Sequence, residues 1–334
     1  MAESRGTSAR LPSGRDVARL AGVSQATVSI ALAHPNSKRV SASTRERIVQ
    51  IADEIGYRPQ RAGRQLRTGR TGLVLLAVPD VRSAFFARVL HGAQAAATVA
   101  DVSVVLGSGW NVKELQDSAA GGRFDGVVLC SPIDEHLDAN LGGTTRVLLD
   151  ADPTVAPGAS WELDVAGAIR QVAEHVRDLG HERVGRLESA IASHTFRVRK
   201  KAFDDAAVGL DVVRESVDLT AGARGAVAAA ERLLSAPDRP SVIVCDDDVI
   251  AAGVYSAAWK LGLSIPHDVC VTGIDDAPTS AIMAPPLTTV SLPAEQLGAV
   301  GVAMVLGQEE IPEVPSPELV VRESTIPRSE QNRS

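Results

Sequence analysis

The sequence predicts a small all-α helix-turn-helix head followed by a larger α/β body built on parallel sheets. Three observations predict it. The charge reverses sign near residue 70, two short helical patterns joined by a glycine stand near the start, and strand-length apolar runs alternate with Ala-rich helical stretches thereafter. At 334 residues the chain exceeds what one hydrophobic core usually supports, so one small and one large unit fit the length. The net charge of -7 would argue against a polyanionic partner if it were uniform. Through Arg70, however, 13 Lys and Arg stand against 5 Asp and Glu, while the remainder holds 21 against 36. A basic head on an acidic body is the pattern of a chain whose first segment meets phosphate.

Ser13 opens a short helix on which Val17, Leu20 and Ala21 share a face; Gly22 breaks it, and Val23 is free to pack into the turn. Ser24 caps a second helix, Gln25 to Leu32, with Val28 and Leu32 turned toward the first. A third helix runs from a cap at Ser41 through Ile55, carries Ile48, Ile51, Ala52 and Ile55 at helical spacing, and stops at Gly56. The second helix is left with an outward face of Gln25, Ala26, Ser29 and Ile30, with Thr27 beside them. That chemistry suits the major groove of DNA: Gln pairs with adenine, and Ala or Ile meets a thymine methyl. Ser24, Thr27, Ser41, Thr44 and Arg45 suit phosphate contacts that set register without reading sequence.

At this point DVARLAGVSQATVS (16–29), RVSASTRERI (39–48), IGYRP (55–59) and LRTGRTG (66–72) together resemble the DNA-binding head and hinge of the LacI family of regulators. The resemblance extends over nearly the whole chain. It implies a two-lobed, periplasmic-binding-protein-like body of Rossmann-like sheets, crossed three times by the chain, with a small-molecule effector in its cleft. It also adds Tyr57 to the DNA-contacting set, and it implies a hinge helix over Gln60 to Arg67 that wedges Leu66 into the minor groove. Arg61 and Arg64 beside that leucine would hold the backbone while it unstacks a base step. The expected partners are double-stranded operator DNA, an effector such as a sugar, and a second copy in a homodimer, or a tetramer built from it. Two departures bear on the operator: Ile30 stands where the family often has Arg, and Ala33 where Asn is usual, before a slightly longer loop over His34 to Arg39.

The expected organisation is a disordered tail at 1–12, the head at 13–58, a hinge at 59–70, the body at 71–328 and a frayed tail at 329–334. In the body, strands are expected at 72–78, 102–106, 126–130, 146–150, 183–187, 241–245 and 269–274. Open parallel sheets bind ligands beyond the carboxyl ends of their strands. Asp150, Asp248 and Asp275 fall there, and Arg199 lies in HTFRVRKKAF, similar to the family's effector-contacting arginine segment. Phe86 is the candidate apolar wall. Carboxylates with a guanidinium suit a hydroxyl-rich ligand. Glu188 and Ser189 replace a Gly pair usual in the family, and Asp247 replaces an Asn.

Other chemistries lack their motifs. Adjacent Asp246, Asp247 and Asp248 rarely converge on one metal ion, GSGWN at 107–111 lacks dinucleotide spacing, and no P-loop is present. His175 and His181 have no nucleophile at recognisable spacing and are expected as capping or surface groups. Cys130, Cys245 and Cys270 each sit alone in apolar runs and are expected as buried small hydrophobes. No catalytic set, metal or cofactor is therefore expected. No apolar run reaches the 18 residues or so of a membrane span, and no apolar segment follows the charged N-terminus, so a cytoplasmic location is expected.

Overall fold

A computed structural model describes residues 12–33, 37–58, 69–109, 111–137, 139–219 and 223–331. The chain divides into two compact units between Thr71 and Gly72. The first holds α1 (Gly14–Ala21), α2 (Gln25–Ala33) and α3 (Ala42–Glu54). Asp16 reaches back to accept the Ser13 backbone N–H at 2.9 Å, which satisfies a donor left open at the start of α1. Gly22 adopts φ 64°, the left-handed geometry that ends α1, and Val23 N–H closes the turn on Ala18 O at 3.0 Å. Ser24 Oγ accepts the Thr27 N–H at 3.1 Å, and Ser41 Oγ accepts the Thr44 N–H at 3.3 Å, so both expected caps are formed. Val17, Ala18, Ala21, Val28, Ala31, Val40, Ile48 and Ala52 make the core.

Leu20 departs from the expected face. It is 48% exposed, and Ala18 is buried in its place. At about 100° per residue, Val17, Ala18 and Ala21 span one arc of α1, and Leu20 falls on its flank. The α1 stripe is therefore narrower and composed of smaller residues than apolarity alone suggests. Of the expected DNA-binding set, Arg61, Arg64 and Leu66, with the hinge around them, lie outside the described residues, as do residues 1–11 and His34 to Asn36.

The second unit contains two sheets. The first lobe has a five-stranded sheet in the order β2-β1-β3-β4-β5, made from β1 (Leu73–Val78), β2 (Ser103–Ser108), β3 (Gly126–Cys130), β4 (Arg146–Leu149) and β5 (Ser160–Trp161), all pairs parallel. The second lobe has a six-stranded sheet in the order β11-β10-β9-β8-β6-β7. Its strands are β6 (Arg183–Ser189), β7 (Asp211–Val217), β8 (Val242–Cys245), β9 (Cys270–Asp275), β10 (Thr288–Ser291) and β11 (Glu318–Val320). Only the edge pair β10–β11 is antiparallel. Around them lie α4 (Ala84–Val99), α5 (Val112–Ala119), α6 (Asp134–Leu137), α7 (Val165–Asp178), α8 (His194–Ala206), α9 (Ala223–Leu234), α10 (Asp248–Leu261) and α11 (Ala294–Val305).

The three chain crossings implied by the resemblance are present: after β5, after β10, and after α11. Helix α11 returns to the first lobe and packs on α4 backbone against backbone. A side chain at Gly298 would meet Val89 O at 2.0 Å, and one at Gly92 would meet Glu295 O at 1.9 Å, so only glycine fits at either position.

All seven expected strands form, with ends shifted by a residue or two. Four further strands, β5, β7, β10 and β11, escaped the pattern; β7 did so because it is a half-exposed edge strand whose sequence, DVVRESV, lacks a continuous apolar run. The three cysteines are buried and free. Of the histidines expected as capping or surface groups, His181 is buried and half-buried His175 stands in the last turn of α7, and both make side-chain ties to distant segments. His181 Nδ1 meets Ser241 Oγ at 2.8 Å and its Nε2 meets Ile326 O at 3.2 Å, while His175 Nε2 meets Thr325 Oγ1 at 3.0 Å. Burial pushes the His181 imidazole down to about 4. Gln331, expected in a frayed tail, is 5% exposed and donates from Nε2 to Ser241 O and Pro266 O, both at 3.0 Å. Ordered structure therefore continues past 328.

Candidate DNA-binding face and effector cleft

On α2, Ser24, Gln25, Ala26 and Ser29 are exposed, and Thr27 is half-buried with its hydroxyl 2.8 Å from Ser24 Oγ. The helix therefore presents amide N–H groups, two hydroxyls and a carboxamide together, a donor-rich end suited to phosphate and base edges. Gln25 has a neighbour distant in sequence. A side chain at Gly14 would lie 3.0 Å from the Tyr57 hydroxyl and 3.7 Å from Gln25 Nε2, which brings the expected Tyr57 and Gln25 to one spot. Ile30 is half-buried and packs against the head core, which draws it away from an outward reading role. Ser41 and Thr44 share a hydroxyl contact of 2.8 Å at the start of α3. Arg45 Nη2 donates to Ser37 O at 2.7 Å, so this cation also ties down the segment before α3.

In the body, Asp150 and Asp275 stand at strand ends of opposite lobes, and the Asp150 charge is among those that raise the Asp275 carboxyl. Ser131 Oγ donates to Asp150 Oδ2 at 2.7 Å. Ser131, Asp150, Asp275 and Asp276 have φ of 44°, 51°, 116° and 52°, left-handed values in non-glycine residues. Such strain costs of order 1–3 kcal/mol each and gathers where side chains must be aimed at a ligand. Arg199 on α8 is buried, donates to Asp246 O and places Nη2 4.0 Å from Asp275 Oδ1. Burial lifts the Asp275 carboxyl well above the usual carboxylate range, with Arg199 pulling it back; burial also raises Asp247 to about 6.

The remaining expected residues have ties of their own, although the Asp248 and Asp247 charges also raise the Asp275 carboxyl. Asp248 accepts from Ala277 N–H at 2.8 Å, Ser280 Oγ at 2.6 Å and Thr289 Oγ1 at 2.6 Å, so both carboxylate oxygens are spent on internal ties at the start of α10. Asp247 caps the same helix by accepting the Ile250 N–H at 2.6 Å. Phe86 packs edge-on to Phe85 at 5.3 Å against the core of the body.

Several polar groups at the cleft were missed from sequence. Ser193 Oγ and Thr195 Oγ1 are buried without a hydrogen-bond partner among the described residues. Thr195 lies one turn before Arg199 on the same face of α8. Arg88 Nη1, from the first lobe, donates to Asp275 O at 3.0 Å. The rule that picked Asp150 would also have found Ser131, which follows β3 directly; Ser193 and Thr195 carry no local signal.

Three lobe-to-lobe ties flank this group. Arg197 Nη1 donates to Asp134 Oδ2 at 2.7 Å, His194 Nε2 lies 2.7 Å from Glu162 Oε1, and Asp134 N–H donates to Ala192 O at 3.2 Å. They place the N-terminal end of α8 against the first lobe.

Among the described residues no group of three or more His, Cys, Asp or Glu is placed to hold a metal ion, and no helix is long and apolar enough to cross a membrane.

Comparison with known proteins matches residues 15–60 to bacterial regulatory proteins of the lacI family and residues 173–328 to the periplasmic binding protein-like domain. The HTH-type transcriptional repressor PurR of Photobacterium profundum is 29% identical over 329 residues, covering 93% of this chain and 97% of that protein. A LacI family transcriptional regulator from Mycobacterium smegmatis is 30% identical in its crystal structure, with a TM-score of 0.67, covering 76% of this chain and 99% of that one. The lac repressor dimer bound to operator and the anti-inducer ONPF shares the fold at a TM-score of 0.81 and 24% identity, covering 95% of this chain and all of that one, 100%. With its helix-turn-helix head and two-lobed body, this chain belongs to the LacI family of bacterial transcriptional regulators.

Proposed function

We propose that this protein is a homodimeric cytoplasmic repressor whose two heads bind half-sites of a pseudo-palindromic operator, released or recruited by a small hydroxyl-rich molecule in the cleft. The observation that carries the DNA reading is the α2 face, where exposed Gln25, Ala26 and Ser29 stand beside the Ser24–Thr27 cap. Two-fold symmetry in the protein requires a matching symmetry in the site it reads. Gln25, Ala26 and Ser29 read base edges, with Ile30 contributing at most its outer edge; Ser24, Thr27, Ser41, Thr44, Arg45 and Tyr57 hold the backbone. Arg61, Arg64 and Leu66 act in the hinge.

The cleft reading rests on Asp150, Arg199 and Asp275 with the Ser193 and Thr195 hydroxyls, which have no hydrogen-bond partner among the described residues. Buried hydroxyls left unpaired favour a ligand that supplies their hydrogen bonds. Asp248 contributes by holding the start of α10. No catalytic step is assigned to the protein.

The deciding experiment is footprinting on genomic DNA across a salt series. Specific protection over a pseudo-palindrome with a steep salt dependence is the expected result; absence of protection at low salt would overturn the reading.

A further inference from the structure

The least expected side chain in the second lobe is Arg186. It lies in the interior of β6, paired in register with Val244 of β8, and is 0% exposed. A cation so deep needs partners, because removing a charge from water is costly unless it is paired. Its Nη2 is ion-paired with Asp246 Oδ1, its Nη1 donates to Val244 O at 3.2 Å, and its guanidinium lies 5.0 Å from the Phe203 ring. The other Asp246 oxygen accepts the Ser189 N–H at 2.7 Å.

Both ends of this arrangement lead to Arg199. The main-chain carbonyl of Asp246 is the acceptor for Arg199 Nη1, and Phe203 lies on α8 one turn after Arg199. A buried ion pair is weak support for stability, since an apolar pair of similar volume is often as stable. What the ion pair supplies is a fixed position for residue 246.

We propose that Arg186 is a positioning residue for the cleft: with Asp246 it fixes the carbonyl that holds the Arg199 guanidinium against Asp275. The consequence for ligand binding rests on the effector reading above; the consequence for Arg199 does not.

The test is the double variant Arg186→Met/Asp246→Leu in the full chain, which removes both charges together. Its melting temperature and its ligand-free operator affinity are expected to stay close to wild type. A crystal structure of the ligand-free variant is expected to show Arg199 detached from the residue-246 carbonyl. With whichever of ribose, galactose, cellobiose or lactose changes wild-type operator affinity, the half-effective concentration should rise roughly 3- to 30-fold. Arg199 found in its wild-type position, or an unchanged ligand response, overturns the proposal. A wild type that responds to none of these sugars counts against the sugar reading, and the ligand-free structure then decides the role of Arg186. Should the double variant not fold, Arg186→Lys keeps the charge without the planar fork. It is then expected to show the same displacement of Arg199, and an undisplaced Arg199 in that variant overturns the proposal equally.

Discussion

The head and the cleft are built by opposite strategies. Every described residue of the candidate DNA-binding face except Tyr57 lies within one stretch of three short helices, and each is placed by a local device such as a cap, a glycine turn or helical spacing. The cleft instead gathers Ser131, Asp150, Arg199 and Asp275 from strand ends and a helix of two lobes. A site assembled locally depends on its own helix; one assembled across a sheet depends on packing far from it. Perturbing packing and perturbing caps should therefore affect the two units differently.

The largest effect should come from the α4–α11 contact. Gly92→Val places a side chain into Glu295 O and is expected to destabilise the body by about 3 kcal/mol while the head is unaffected. Calorimetry resolving the two units checks it, and a head transition that falls in step with the body would break the comparison.

Next comes pH. Burial pushes the His181 imidazole down to about 4, below its unfolded value of about 6.5. The folded body therefore binds fewer protons than the unfolded chain between those values. Its contribution is fully present above about 6.5 and is lost as pH falls toward 4, by about 2–3 kcal/mol. Asp247, raised to about 6, acts in the opposite sense over part of that range. The difference between wild type and His181→Gln is thus the informative quantity: the variant should show a shallower loss on acidification in urea titrations at stepped pH. Parallel curves would remove His181 from the balance.

Gln25→Ala tests the head without touching its core. It should relax preference at one base pair by about 1–3 kcal/mol, read from binding to a set of single-base operator variants, with the body's unfolding unchanged. A uniform loss across all variants would make Gln25 a backbone contact. The smallest effect is Ser41→Ala, expected to cost the head about 1 kcal/mol through loss of the Thr44 N–H acceptor. Thermal unfolding of the head would register it, and a matching shift in the body would be unexpected.

The legibility of the two regions follows the same division. Ser24 and Ser41 were readable as caps because a cap needs only its own next three residues, and Gly22 was readable because the turn demands a left-handed φ. Leu20 was misplaced because apolarity says which residues can be buried but not how wide the buried arc of a short helix is. In the body, the strand-end rule picks Asp150 and Asp275, which stand on opposite lobes, and equally Asp248, whose carboxylate accepts from Ser280, Thr289 and Ala277. Which strand-end aspartate faces the cleft depends on neighbours up to 41 positions away. Half-buried His175 and buried His181 and Gln331 follow the same logic, since each is tied to a segment distant in the chain.

From local pattern alone come the three helices of the head, the outward set on α2, the alternation that makes parallel sheets, and the aspartates at the strand ends. These depend on interactions within a few residues. Packing alone sets Ile30 against the head core, Arg199 on the carbonyl of Asp246, and Arg186 in an ion pair with the Asp246 carboxylate. Those outcomes depend on which surfaces meet when helices and sheets pack, and burial then sets what each polar group must bond to.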